Sequence, residues 1–115
     1  MDQAATQAWF QTLPERGKII FLVDLMWEFT LVIRAVFTDG DNDKSLKAAY
    51  SLSEFNHMLT SKVSAMLQGQ PTYPDDLVFK VLFDKFSRPE LESYMLIWHR
   101  LIERTKLRQS QRSVS

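Results

Sequence analysis

The chain of 115 residues has no cysteine, only three glycines and four prolines, and no excess of charge of either sign. Without cysteine it has no disulfide, no thiolate nucleophile and no cysteine-ligated zinc or iron–sulfur site. Because 14 basic residues balance 14 acidic ones, the overall attraction to phosphates on which nucleic-acid-binding proteins depend is missing. So few turn-forming residues leave little of the chain for loops, which favours an all-helical fold.

An uninterrupted apolar run is also missing. Residues 19–37 are nearly all hydrophobic, but Asp24, Glu28 and Arg34 interrupt them. On an insertion scale these charges cost about 7 to 10 kcal/mol, whereas the Leu, Ile, Val and Phe residues of the run return about 4 to 7 kcal/mol. We therefore expect a core helix that other elements cover on several sides, and no membrane span. Since residues 1–7 carry no basic or apolar signal region, we expect a cytoplasmic protein.

Apolar residues that recur every three to four positions predict one short and four long helices. The short helix covers about residues 2–11, and the long ones cover about 13–38, 44–68, 73–86 and 88–106. Gly69 is a suitable residue to end the second long helix. We predict a compact four-helix bundle beside the short N-terminal helix, in one domain of residues 1–107. The polar residues 108–115 are expected to fray.

Three helix starts share the pattern Ser/Thr-x-Pro-acid, at Thr12, Thr72 and Ser87. A hydroxyl at the N-cap accepts a hydrogen bond from the first turn, and an early proline loses no helical N–H bond. The acid also meets the positive end of the helix dipole. The pattern therefore predicts that these three hydroxyls cap the helices that follow them.

Acidic residues cluster in residues 39–44, between the first two long helices. An EF-hand calcium loop that began at Asp39 would need glycine at its sixth position and glutamate at its twelfth, where this chain has Lys44 and Tyr50. An Asx turn followed by an N-cap at Asp43 explains the cluster more simply.

Glu54 and His57 form the best candidate for catalytic chemistry. They make an E-x-x-H motif, which ferritin-like bundles contribute from each of two helices to a di-metal site. Their helical phase places both on the solvent face, and the chain has no second copy of the motif. We therefore predict no cofactor. The alternative function is a bundle that binds a metal or a small apolar ligand, with or without enzymatic activity at Glu54 and His57.

Asp24 and Glu28 are candidate partner-binding residues. They repel each other at a spacing of four residues, on the most apolar helix of the chain. One hypothesis is that this strip is only the exposed edge of the helix. The other is that the two acids pair with a basic segment, such as the chain's own Arg100, Arg104 or Arg108.

Trp9 and Phe10 lie on a helix too short to be stable alone. They must dock either on their own bundle or on a second copy, and we favour the second copy. Because the aromatic and methionine content exceeds what one small core needs, and such residues are typical of interface anchors, we predict a small non-catalytic helical protein. It would act through protein–protein contacts, as a homo-oligomer, an adaptor or a regulator. Nucleic-acid binding is not expected, since Glu90 and Glu92 would open any reading helix.

Overall fold

The computed structural model describes residues 2–39 and 42–114, and all the regular structure in these two ranges is helical. The helices are α1 (Gln3–Gln11), α2 (Glu15–Asp39), α3 (Asp43–Leu67), α4 (Asp75–Phe86), α5 (Pro89–Glu92) and α6 (Met95–Val114). The predicted all-helical class is confirmed. No helix in these ranges combines the length and the apolar character needed to cross a membrane.

The last predicted helix differs most from the structure. A break at Ser93 and Tyr94 divides it into α5 and α6, and α6 continues to Val114 through residues that were expected to fray. Two tertiary contacts lie at the start of this extension. Arg108 lies 3.8 Å from Asp24 of α2, and Gln109 accepts a hydrogen bond of 3.0 Å from the Trp9 indole of α1. The beginning of this polar segment therefore contacts both α1 and α2.

The predicted caps at Thr12, Thr72 and Ser87 are wrong. The hydroxyls of Thr12 and Ser87 donate to carbonyls three residues back, at 2.6 and 2.7 Å, and so close the helices that precede them. The N-cap of α4 is Pro74 and that of α5 is Arg88, and neither has a side-chain cap. The reason is that a residue before proline is held extended, so the helix cannot begin where the pattern placed it.

The ends of α3 follow the local chemistry of the chain. Asn42 is the N-cap, and its side chain accepts a hydrogen bond of 3.0 Å from the Ser45 N–H. The predicted cap, Asp43, is therefore the first helical residue instead. Gly40 and Asp41 of the predicted turn lie outside the described residues. At the other end Gly69 has a φ of +68°, the left-handed conformation that ends a helix most easily at glycine.

All six helices contribute to one cluster of buried hydrophobic side chains. At its middle the Phe29 ring of α2 stacks on Phe86 of α4, with 5.5 Å between ring centroids, and tilts against Phe55 of α3 at 5.3 Å. Helix α2 packs along α3 on one side and along α6 on another. This leaves the remaining side of α2 uncovered.

Candidate interaction surface

One strip of α2 stays exposed although the opposite side of the helix lies in the core. Its apolar side chains are Ile20, Val23, Trp27 and Leu31, with exposed fractions of 41, 45, 64 and 38%. Arg16 and Arg34, both exposed, lie at its two ends. We call these six residues the Trp27 ridge. The helix is therefore less completely covered than its apolar sequence led us to expect.

The Trp27 ridge is straight and narrow. At 100° per residue its six members fall within an arc of about 80° on α2, and at 1.5 Å per residue they extend over about 27 Å. Helix α3 borders one side, where the Asn56 side chain donates to the Met26 carbonyl at 3.2 Å. Helix α6 borders the other side through ion pairs. A rigid helix therefore presents the ridge between two flanking helices.

Asp24 and Glu28 lie at the α6 border of the ridge and are already paired inside the molecule. Glu28 is 2.8 Å from Arg104, and Asp24 is 3.8 Å from Arg108. These are two of the internal partners that the sequence suggested. The Glu28 side chain is only 15% exposed, so its charge is largely committed to holding α6 against α2.

An open groove of about 940 Å³ continues from this border along α6. Its lining residues are Glu28, Leu96, Ile97, His99, Arg100, Glu103 and Arg104. Glu103 lies 3.7 Å from Lys106, whereas Arg100 forms no ion pair with a described residue. Leu96 is 62% exposed. The groove thus adds the exposed side chain of Leu96, and a cation at Arg100 that no described residue pairs, to the surface beside the ridge.

His99 is the titratable group of this groove with a shifted pKa. Burial lowers the pKa of the imidazole, although the charge of Glu103 acts in the opposite direction. The ring packs edge-on against Trp98 at 4.1 Å, and its Nε2 has no hydrogen-bond partner among the described residues. Burial therefore favours the neutral imidazole, and the position of His99 against Trp98 is a packing position.

Glu54 and His57 are both exposed on α3. No group of three or more His, Cys, Asp or Glu side chains within residues 2–39 and 42–114 is placed to hold a metal ion. The structure therefore gives the E-x-x-H motif no third ligand in these ranges.

Trp9 and Phe10 dock on the core of their own chain. Phe10 is completely buried between Phe21 and Phe79, at centroid distances of 5.8 and 5.1 Å. Trp9 is half-buried and packs edge-on against Phe21 at 5.1 Å. This differs from the docking on a second copy that the sequence favoured, because α2 and α4 together supply an aromatic slot. Phe10 has no free area for a partner in this structure.

Comparison with family models, curated proteins and solved structures finds no match to this chain. Its own geometry is therefore the basis for a functional proposal.

Sequence reasoning missed a hydrogen bond from the Lys85 ammonium to the Ser51 hydroxyl, at 2.5 Å. Burial and the charge of Arg88 lower the pKa of Lys85, while Glu54 acts to raise it. A serine beside such a lysine can be a nucleophile. Here, however, Ser51 lies inside α3, where backbone N–H groups bond within the helix and cannot stabilise an oxyanion. The pair joins α3 to α4.

The Trp27 ridge was also missed as a surface. Its signal, apolar residues at spacings of three and four, is present in the sequence. The same signal marks the buried side of α2, so periodicity alone does not tell the two sides apart.

Proposed function

We propose that this protein is a non-catalytic helical protein that acts by binding another protein chain through the Trp27 ridge. The observation that carries the proposal is the 64% exposure of Trp27 at the centre of an apolar strip. Burying a large apolar side chain contributes up to about 3 kcal/mol. A partner that covers Trp27 would therefore gain binding free energy from its burial. Tryptophan is also enriched among the residues that dominate binding energy at interfaces.

The scaffold supports this role because it holds the ridge rigidly. We propose that α2, α3, α4 and the α5–α6 segment form a four-helix bundle with α1 packed on α4, in agreement with the helix pairs in contact. The opposite side of α2 includes Leu25, Phe29 and Val32, which are all fully buried. Since these contacts fix the rotation of α2, a partner would meet a preformed surface and lose little entropy in ordering it.

A photocrosslinking experiment in living cells tests the proposal. A benzoylphenylalanine replaces Val23 or Leu31 in the full chain, on either side of Trp27. The control position is Tyr50, which is 69% exposed on α3 and lies off the ridge. We expect light-dependent protein adducts from positions 23 and 31, and their loss when Trp27→Ala is added.

The adduct mass identifies the bound chain. An adduct of one copy with another, or with a different protein, supports binding at the ridge. If positions 23 and 31 give no adduct, or give the same adducts as position 50, the proposed function is wrong.

A further inference from the structure

The charged members of the Trp27 ridge are both arginines. Arg16 and Arg34 close its two ends, and Arg100 lies beside it in the groove. None of the three forms an ion pair with a described residue. The carboxylates at the α6 border of the ridge, Asp24 and Glu28, already face Arg108 and Arg104. The apolar strip therefore has an arginine at each end and a third arginine beside it.

From this arrangement we propose that the partner is an amphipathic helix with an acidic residue at each end of its apolar face. The inference rests on the proposed function and names the chemistry of its partner. The ridge is a row of side chains at spacings of three and four, which packs best against the similar row of another helix. Since Arg16 and Arg34 are about 27 Å apart along α2, the partner's acids are separated by about five helical turns.

A second copy of this chain fits the ridge poorly. Arg16 and Arg34 lie at almost equal distances from the middle of the apolar strip. If two ridges pack antiparallel, each Arg16 therefore meets the Arg34 of the other copy. If they pack parallel, each arginine meets its own counterpart. Either arrangement places like charges together at both ends, which opposes association, and an acidic partner avoids this.

Two synthetic peptides test the charge requirement. Both are helical, about 21 residues long, and have the same apolar positions, but one has glutamates at both ends of the apolar face and the other has lysines. Binding to the full-length protein is measured by fluorescence anisotropy. We expect the glutamate peptide to bind at least tenfold more tightly, a difference of about 1.4 kcal/mol. The difference should shrink in about 1 M salt, where the Debye length falls to about 3 Å.

Charge reversal on the protein provides the matched test. The double variant Arg16→Glu/Arg34→Glu should invert the preference between the peptides. A control variant, Lys47→Glu/Lys80→Glu, changes the same net charge at two exposed positions of α3 and α4 and should keep the preference. Circular dichroism establishes that both variants are folded.

The outcomes separate this inference from the proposed function. Equal affinities, a preference for the lysine peptide, or no binding of either peptide would overturn the acidic-helix proposal, while ridge adducts in cells would still support the proposed function. A dimer in sedimentation experiments that Trp27→Ala dissociates would show that a second copy occupies the ridge. That result also overturns the inference and leaves the function intact.

Discussion

Replacing Asp75 by asparagine should destabilise this protein more than replacing Lys62 by methionine, although each change removes one half of the same ion pair. The Lys62 ammonium lies 2.9 Å from the Asp75 carboxylate and also donates to the Tyr73 carbonyl. The two sides of the pair are unequally buried, because the lysine side chain is 4% exposed and the aspartate side chain 23%. The unequal burial makes the two substitutions differ.

The expected loss in the free energy of unfolding depends on which charge remains after each substitution. Asp75→Asn leaves a buried ammonium without its counter-charge, and breaking such a pair costs about 3 to 5 kcal/mol. We expect about 3 kcal/mol, since the asparagine oxygen and the Tyr73 carbonyl can still accept hydrogen bonds. Lys62→Met keeps most of the apolar volume and leaves a partly solvated carboxylate, which Gln11 still contacts. A cost of about 1 kcal/mol or less is expected there.

Urea denaturation followed by circular dichroism measures both free energies of unfolding. The double variant Lys62→Met/Asp75→Asn should regain most of the stability that Asp75→Asn loses, because no unpaired charge remains. Asp76→Asn is the matched control, since Asp76 is an exposed acid in the same first turn of α4. The reasoning is refuted if Lys62→Met costs as much as Asp75→Asn, or if the two losses simply add in the double variant.

The same pair predicts a dependence on pH. Burial acts to raise the pKa of Asp75, but the hydrogen bonds from Lys62 and Gln11 and the charge of Lys62 outweigh it, so the pKa lies below its ordinary value of 3.8. The folded protein therefore holds this proton less tightly than the unfolded chain does. The contribution of Asp75 is complete above the unfolded pKa and is lost as the pH falls through the folded pKa. As the pH falls from 7 through the folded pKa of Asp75, the free energy of unfolding should therefore decrease more for the native protein than for the Asp75→Asn variant.

Two further predictions concern the aromatic core. Phe10→Ala should lower the free energy of unfolding by about 3 to 5 kcal/mol. Because Phe10 docks on its own chain, the melting temperature should not depend on protein concentration. A melting temperature that rises with concentration would instead show docking on a second copy. Trp98→Ala should cost a similar amount, and Phe83→Ala should cost less, because Trp98 is fully buried and Phe83 only half-buried. Equal melting temperatures for the native protein and Trp98→Ala would contradict the observed packing of α6.

The sequence by itself determined the all-helical class and the approximate extent of α1, α3 and α4. Apolar periodicity and local residues such as Gly69 were sufficient for this, because both act within a few positions along the chain. The helix starts could not be predicted in this way, because two local signals, the capping pattern and the restriction before proline, conflict there. The hydroxyls at Thr12, Thr72 and Ser87 satisfied the capping pattern, yet the restriction before proline moved the starts.

Only the tertiary structure decided the length of α6, the burial of Lys62 and the position of the Trp27 ridge. Each depends on contacts between residues far apart in the chain, such as the ion pairs of Arg108 with Asp24 and of Lys62 with Asp75. Helix α2 is apolar on most of its circumference, so its sequence is compatible with several exposed strips. Helices α3 and α6 border the strip at Trp27 on its two sides, and no described helix covers the strip between them.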